Sequence, residues 1–142
     1  MIYLDTSALI KRFVAETGSE TVNDLVGTAP PVVTAKIAFV EVHAGLKRKH
    51  RERSLSGRDY ALSVRQFEAD WTSYIRVDLR DEVLLLARDL IRQHPLRGFD
   101  AIHLASALSV QRAVGEALTF AAADVRLLRA AESEGLASIN VE

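Results

Sequence analysis

IYLDTS, residues 2–7, is the stretch that decides the fold, because a short apolar run ends in a carboxylate and passes at once into residues that begin helices. The run predicts a buried strand over 2–5, and Thr6 or Ser7 is expected to cap the helix that follows. Ligands of open α/β sheets bind at the carboxyl ends of strands. Asp5 is therefore a candidate site residue, and N-capping is the alternative role for this acid taken alone.

Outward from this stretch, apolar runs alternate with helical patterns. Further strands are predicted at 32–34, 75–78, 117–120 and 137–141. Helical periodicity fills the intervals, including a third helix from about residue 35 and an aromatic stripe from Tyr60 to Ile75 that is interpreted as core packing. The alternation predicts an α/β fold: a parallel central sheet of four to five strands with helices on both faces.

Composition limits the classes of protein that this chain can represent. The 142 residues, 49% of them apolar and few of them Gly or Pro, exclude a disordered or collagen-like chain and suit a single domain over 1–142. With no cysteine, disulfides and thiolate metal sites are excluded, and a cytoplasmic setting is expected. The first apolar run is too short for a signal peptide or a membrane span, so no membrane association is expected.

Three further acids are expected near Asp5. Asp124 follows the fourth predicted strand, and Asp100 lies near the start of a helix that is apolar on nearly every side. Glu41 lies in the third helix with apolar or small neighbours one turn away, where an unpaired charge would be costly. Capping explains Asp100 or Asp124 singly, but it does not explain Glu41.

Carboxylates gathered at one sheet edge repel each other unless a cation lies between them. Oxygen-only ligands suit Mg²⁺ or Mn²⁺, and zinc is disfavoured without cysteine. Such a site can hydrolyse phosphodiester bonds. Asp5 and Asp100 are then the primary ligands, Glu41 binds directly or through water, and Asp124 supports a second metal position.

Basic residues cluster between positions 47 and 58. The block comprises Lys47, Arg48, Lys49, Arg51, Arg53 and Arg58. It is interpreted either as a solvated helix end or, beside an acidic site, as a contact for a phosphate backbone. Lys11 and Arg12 are expected to be solvated, with Lys11 able to reach a phosphate from the rim. Arg97 and Arg126 are weaker rim candidates.

The motifs resemble those of the PIN-domain family, and more narrowly of VapC-type toxin ribonucleases. They are DTSAL at 5–9, KRF at 11–13, the lone Glu41, FDAIHLA at 99–105, DVRL at 124–127 and GL at 135–136. The resemblance covers essentially the whole chain. It implies a Rossmann-like three-layer sandwich and a Mg²⁺- or Mn²⁺-dependent endoribonuclease with Asp5, Glu41 and Asp100 as core acids, Asp124 as a less regular fourth, and Ser7 as a hydroxyl beside the metal.

The resemblance also implies partners: an RNA substrate, a cognate antitoxin whose tail covers the acidic groove with an Arg or Lys, and a second copy of the chain in a homodimer. One departure concerns residues 120–124, FAAAD, which lack the hydroxyl usual beside the fourth acid. His103, one turn from Asp100, is interpreted as a core histidine rather than as a second-shell partner of the site.

Two other functions are weighed. A non-cleaving PIN-like module that binds RNA or protein would explain the basic block but not the retention of all four acids. A phospho-accepting signalling domain would need paired acids after the first strand and a late lysine. Here Thr6 follows Asp5, and no lysine occurs after Lys49.

Overall fold

A parallel sheet of five strands forms the centre of the structure, a computed structural model that describes residues 1–142. The strands are β1 (Ile2–Leu4), β2 (Val32–Ala35), β3 (Ile75–Val77), β4 (Thr119–Ala122) and β5 (Ala137–Asn140), in the spatial order β3-β2-β1-β4-β5. The predicted α/β sheet is confirmed, with five strands. Strand β4 lies two residues later than predicted.

Seven helices cover the two faces of the sheet. They are α1 (Thr6–Ile10), α2 (Ser19–Gly27), α3 (Ala38–Arg51), α4 (Gly57–Trp71), α5 (Asp81–Gln93), α6 (Gly98–Val114) and α7 (Val125–Ser133). Because side chains alternate along a strand, Ile2 and Leu4 pack into a core with α1 to α4, whereas Tyr3 packs into a second core with α5 to α7. The result is the expected three-layer sandwich.

Helix α6 has more buried residues than any other helix, in agreement with its apolar composition. Seven of its side chains, including that of His103, are buried. The aromatic stripe of α4 packs against the opposite core through Phe67, Trp71 and Tyr60, although Ile75 belongs to β3 and is exposed. No helix combines the length and the apolar character needed to cross a bilayer.

Two helix starts differ from the sequence expectation. Helix α1 is capped by Asp5, whose Oδ1 accepts a hydrogen bond from the Ala8 amide, so the prediction that Thr6 or Ser7 caps it is wrong. Asp5 retains the extended backbone of β1, which makes it the last residue before the helix. Helix α3 begins at Ala38, so Glu41 lies in its first turn.

The strand order places a crevice beside β1. The chain moves from β1 to β2 and β3 on one side, and β4 and β5 occupy the other. A reversal of this kind leaves a gap between neighbouring crossovers at the carboxyl edge, where open α/β sheets bind ligands. Asp5 follows β1 and Asp124 lies just beyond β4, so both acids border this crevice.

Candidate functional site

A cavity of about 1010 Å³ opens at the carboxyl edge of the sheet, and all four predicted acids line it. Asp5 comes from the end of β1, Glu41 from α3, Asp100 from α6, and Asp124 from the start of α7. A smaller recess of about 300 Å³ is also lined by Asp100 and Asp124, together with Arg97 and Arg126.

Asp5 is held rigidly at the base of the cavity. It is only 5% exposed, and its Oδ1 accepts hydrogen bonds from the Ser7 hydroxyl at 2.7 Å and from the Ala8 amide at 2.9 Å. No protein donor bonds its Oδ2. The Ser7 hydroxyl also accepts from the Ala123 amide at 3.1 Å, which links α1 to the end of β4. Burial raises the pKa of Asp5.

Glu41 is fixed by two side chains from other elements. Its Oε1 accepts from the Thr6 hydroxyl at 2.6 Å and from Nε2 of His103 at 2.8 Å, and Oε2 has no protein donor. Burial alone raises the pKa of Glu41, but the hydrogen bonds from His103 and Thr6 outweigh it, so the pKa lies below its usual value. The carboxylate is therefore ionised and oriented.

His103 joins the core to the site. It is 2% exposed, and its Nδ1 lies 2.8 Å from the Tyr3 hydroxyl. Since the Glu41 carboxylate can only accept, Nε2 carries the proton, and in the neutral ring Nδ1 accepts from Tyr3. The interpretation of His103 as a core histidine was incomplete, because its other nitrogen supports a site acid. Its position three residues after Asp100 was the available sequence signal.

The remaining two acids are held less firmly. Asp100 has no hydrogen bond from the protein, and its pKa is raised by partial burial and by the charge of Asp124. Asp124 is exposed and caps α7, its Oδ1 accepting from the amides of Arg126 at 2.8 Å and Leu127 at 3.3 Å. Residues 120–123 contain no hydroxyl that could orient Asp124, and backbone amides orient it instead.

Asp5, Glu41 and Asp124 share one arrangement: one carboxylate oxygen is bonded by the protein, and the other is left without a protein donor. Partners outside the coordination sphere orient metal ligands in this way. No three acid or histidine side chains lie close enough together to enclose an ion by themselves. A hydrated Mg²⁺ does not require that, because it keeps several waters and is bound by one or two carboxylates. The oxygen-only donor set therefore fits Mg²⁺ or Mn²⁺.

Lys11 differs most from its sequence prediction. The expectation that it is solvated is wrong, because it is buried at 5% exposure. Its Nζ donates to the Thr17 carbonyl at 2.7 Å and pairs with Glu16 at 3.3 Å and with Glu142 at 3.1 Å. The ammonium group lines the cavity but its charge is already compensated. Arg12 is also engaged, by Asp70 at 3.0 Å.

The residues of the basic block also differ in whether their charges have a partner within the protein. Lys49 pairs with Glu16 at 2.7 Å, and Lys47 lies over the Tyr60 ring at 4.9 Å from its centroid. Arg51 is exposed and is not part of the cavity wall. Arg48 does line the cavity and makes no ion pair with an acid. Arg97 also lines the cavity without an ion pair, although its charge acts on Asp100 and opposes the rise in the pKa of that acid. Arg48 and Arg97 are therefore the cations available to a ligand.

Sequence reasoning missed two contributions to the site. Thr6 was considered only as a cap, whereas its hydroxyl donates to Glu41 across 35 positions of sequence. Phe99 was given no separate role, although its ring forms part of the cavity wall. Its place directly before Asp100 was the only indication.

Comparisons with known proteins give matches that cover most of this chain. The family model described as PIN domain matches residues 2–133. Ribonuclease VapC49 of Mycobacterium tuberculosis is 36% identical over 110 residues, which cover 78% of this chain and 76% of the relative. Ribonuclease VapC46 of the same organism is 34% identical and covers 97% of this chain and 95% of the relative. A toxin–antitoxin complex from Klebsiella pneumoniae contains a chain of the same fold, with a TM-score of 0.69, 16% identity and coverage of 100% and 98%.

Proposed function

Because this chain belongs to the PIN-domain family, we propose that it is a metal-dependent endoribonuclease, the VapC-type toxin of a toxin–antitoxin pair. The observation that carries the proposal is the set of four acids around one cavity, three of which direct one oxygen to the protein and leave the other free. The names of two relatives more than 30% identical, both ribonucleases, support the choice of RNA as substrate.

The proposed cofactor is Mg²⁺ or Mn²⁺, held by Asp5 and Asp100, with Glu41 and Asp124 binding directly or through water. When bound, such an ion activates a water for attack on a phosphodiester and stabilises charge on the leaving oxygen. The raised pKa of Asp100, caused by burial and by Asp124, supports a cation there, because a positive charge would remove the repulsion.

The protein groups then divide by task. Ser7 and the Ala8 amide fix the orientation of Asp5, and Thr6 and His103 fix that of Glu41. Rigid orientation matters because a catalytic constellation acts only while its groups remain in reacting geometry. Arg48 and Arg97, which line the same cavity as the acids, would supply positive charge to the phosphates of the RNA.

A cognate antitoxin is the proposed regulator. An Arg or Lys of that protein placed among the acids would neutralise them and occlude the cavity at once. The toxin–antitoxin complex from Klebsiella pneumoniae, which contains a chain of the same fold, supports a partner of this class. The proposal also includes two further points: the chain forms a homodimer, and it acts in the cytoplasm.

Cleavage of RNA by the purified chain tests the proposal. A structured RNA incubated with Mg²⁺ or Mn²⁺ should be cut, and EDTA should stop the cutting. Asp5→Asn and Asp100→Asn should each reduce the rate by roughly a hundredfold or more, because even indirect supports of a metal site are worth 10–100-fold. Asp81→Asn is the matched control, since Asp81 occupies the first turn of α5 as Asp100 does that of α6, but lies outside the cavity.

Two outcomes would reject the proposal. Cutting that survives both substitutions would show that the acids are not the catalytic centre. Salt-dependent RNA binding that is unaffected by chelator, with no cleavage product, would instead indicate the non-cleaving binding module.

A further inference from the structure

Phe99 has an unusual position for an aromatic side chain. It is the second residue of α6, directly before Asp100, and the residue is 60% exposed in the wall of the acidic cavity. The chain has five Phe, three Tyr and one Trp, and every one of these except Phe99 lies in or against one of the two cores. Packing within the monomer therefore does not explain Phe99.

The surroundings of the ring are open and contain several charged side chains. A side-chain carbon added at the neighbouring Gly98 would meet no atom within 4 Å. The residues on either side, Arg97 and Asp100, are charged, and only 4 of the 19 residues that line the cavity are hydrophobic. Charged residues are depleted from the cores of protein–protein interfaces, and Phe99 has charged residues on both sides in the chain, two positions before it and one after it. A planar base carried on the charged backbone of RNA fits these surroundings better.

We propose that Phe99 stacks on a base of the RNA, in a nucleotide adjoining the cleaved bond. The proposal rests on the proposed ribonuclease function and adds a specificity-determining contact to it. Proteins that recognise single-stranded RNA stack splayed bases on exposed aromatic side chains. Consecutive Cα atoms lie about 3.8 Å apart, so a base stacked on Phe99 would belong to a nucleotide beside the phosphate at the metal that Asp100 is proposed to hold.

The test uses four variants and one substrate pool. Phe99→Ala removes the side chain, Phe99→Leu keeps apolar bulk without a ring, and Phe99→Tyr and Phe99→Trp keep a ring. Each is given single-stranded RNA of randomised sequence with Mn²⁺. The readouts are kcat/KM for the best-cut sequence and the base frequencies on each side of the cut. Leu85→Ala, an exposed apolar residue of α5 outside the cavity, is the control.

Loss of the ring should change both readouts. The Ala and Leu variants should lose about tenfold in kcat/KM, the size of one base–aromatic stack, and the base preference at one position beside the cut should flatten. Both aromatic variants should retain the rate and the preference. Because Phe99 is exposed, all four should melt within about 2 °C of the wild type.

Each contrary result has a distinct meaning. If the wild type cuts RNA and Phe99→Leu matches it in rate and preference, the stacking inference is wrong while the ribonuclease proposal stands. If the Leu variant cuts normally but loses antitoxin binding or changes its oligomeric state, Phe99 is a protein contact, and the inference is again wrong. If the wild type cuts no RNA with metal, the function itself fails.

Discussion

The four predicted acids and the two lysines that line the same cavity differ in how many of their charges are free to bind a ligand. Asp5, Glu41 and Asp124 each use one carboxylate oxygen in hydrogen bonds to the protein and leave one without a protein donor. Lys11 and Lys49 line the same cavity, and their ammonium groups are both bound by Glu16. Each of these acids therefore has an oxygen free to bind a ligand, whereas the two lysines stabilise the rim of the cavity.

This difference shows that the availability of a charge depends on its partners and not on its place in a motif. Hydrogen bonds from Lys49 and Lys11 lower the pKa of Glu16 despite the opposing effect of its burial, so the acid stays ionised beside them. Arg48, one residue before Lys49, lies on the same helix and has no such partner. Adjacent basic residues therefore have different roles, and the following substitutions test that division.

Among substitutions outside the four acids, the largest effect should come from loss of the hydrogen bond that orients Glu41. His103→Ala removes the donor to Oε1 and should reduce RNA cleavage by roughly 10–100-fold, the usual cost of losing an orienting partner. Tyr3→Phe removes only the hydroxyl behind His103 and should cost less. The measurement is kcat/KM at saturating metal, with melting temperature recorded for each variant.

His43→Ala is the matched control for that prediction. His43 lies on α3, packs against Phe39 and Phe67 and pairs with Glu68, away from the cavity. If His43→Ala and His103→Ala slow cleavage equally after correction for folded fraction, the proposed support of Glu41 is wrong.

Lys11→Met should affect stability rather than RNA contact. Methionine keeps the buried aliphatic stem but leaves Glu16 and the Thr17 carbonyl without the ammonium partner. Removing one member of a fully buried pair costs about 3–5 kcal/mol, and the partial exposure of both glutamates reduces the expected loss to about 1–2 kcal/mol. Urea unfolding measures it. An unchanged midpoint with weakened RNA binding would restore Lys11 as a phosphate contact.

Arg48 and Lys49 should differ in the salt dependence of RNA binding. Each phosphate contact on a single strand contributes about 0.7 to the slope of log affinity against log salt. Arg48→Ala should lower the slope by about that amount, whereas Lys49→Ala should leave it unchanged because Glu16 already neutralises Lys49. Fluorescence anisotropy in EDTA at several salt concentrations measures the slope. Equal slopes for the two variants would contradict the division of the basic block.

The smallest expected effect concerns Asp100. Burial and the charge of Asp124 raise its pKa, so the folded protein holds that proton more tightly than the unfolded chain, and stability falls as pH rises above about 3.8. Asp100→Asn removes the charge and should stabilise the metal-free protein at pH 7.5 by about 0.5 kcal/mol, allowing for partial exposure. The gain should shrink as pH falls toward 4. Thermal melts in EDTA measure it, and a loss of stability at pH 7.5 would oppose the assignment.

The sequence predicts the sheet, its helices and the four acids at one edge, because each depends on local periodicity or on strand order. The sequence does not identify the residue that caps α1, because Asp5, Thr6 and Ser7 can all cap a helix. The backbone conformation decides among them. The burial of Lys11 depends on Glu142, and the role of His103 depends on Glu41, 62 positions away. Periodicity contains no information on such pairings.

The most direct test is a structure of a crystal grown with Mn²⁺, in which anomalous scattering locates the ion. The account predicts a peak in the acidic cavity with Asp5 and Asp100 oxygens as ligands at roughly 2.1 Å, and with Glu41 still bonded to His103 and Thr6. A Mn²⁺-soaked crystal with no peak among these acids, from protein that still cuts RNA in Mn²⁺, would contradict it.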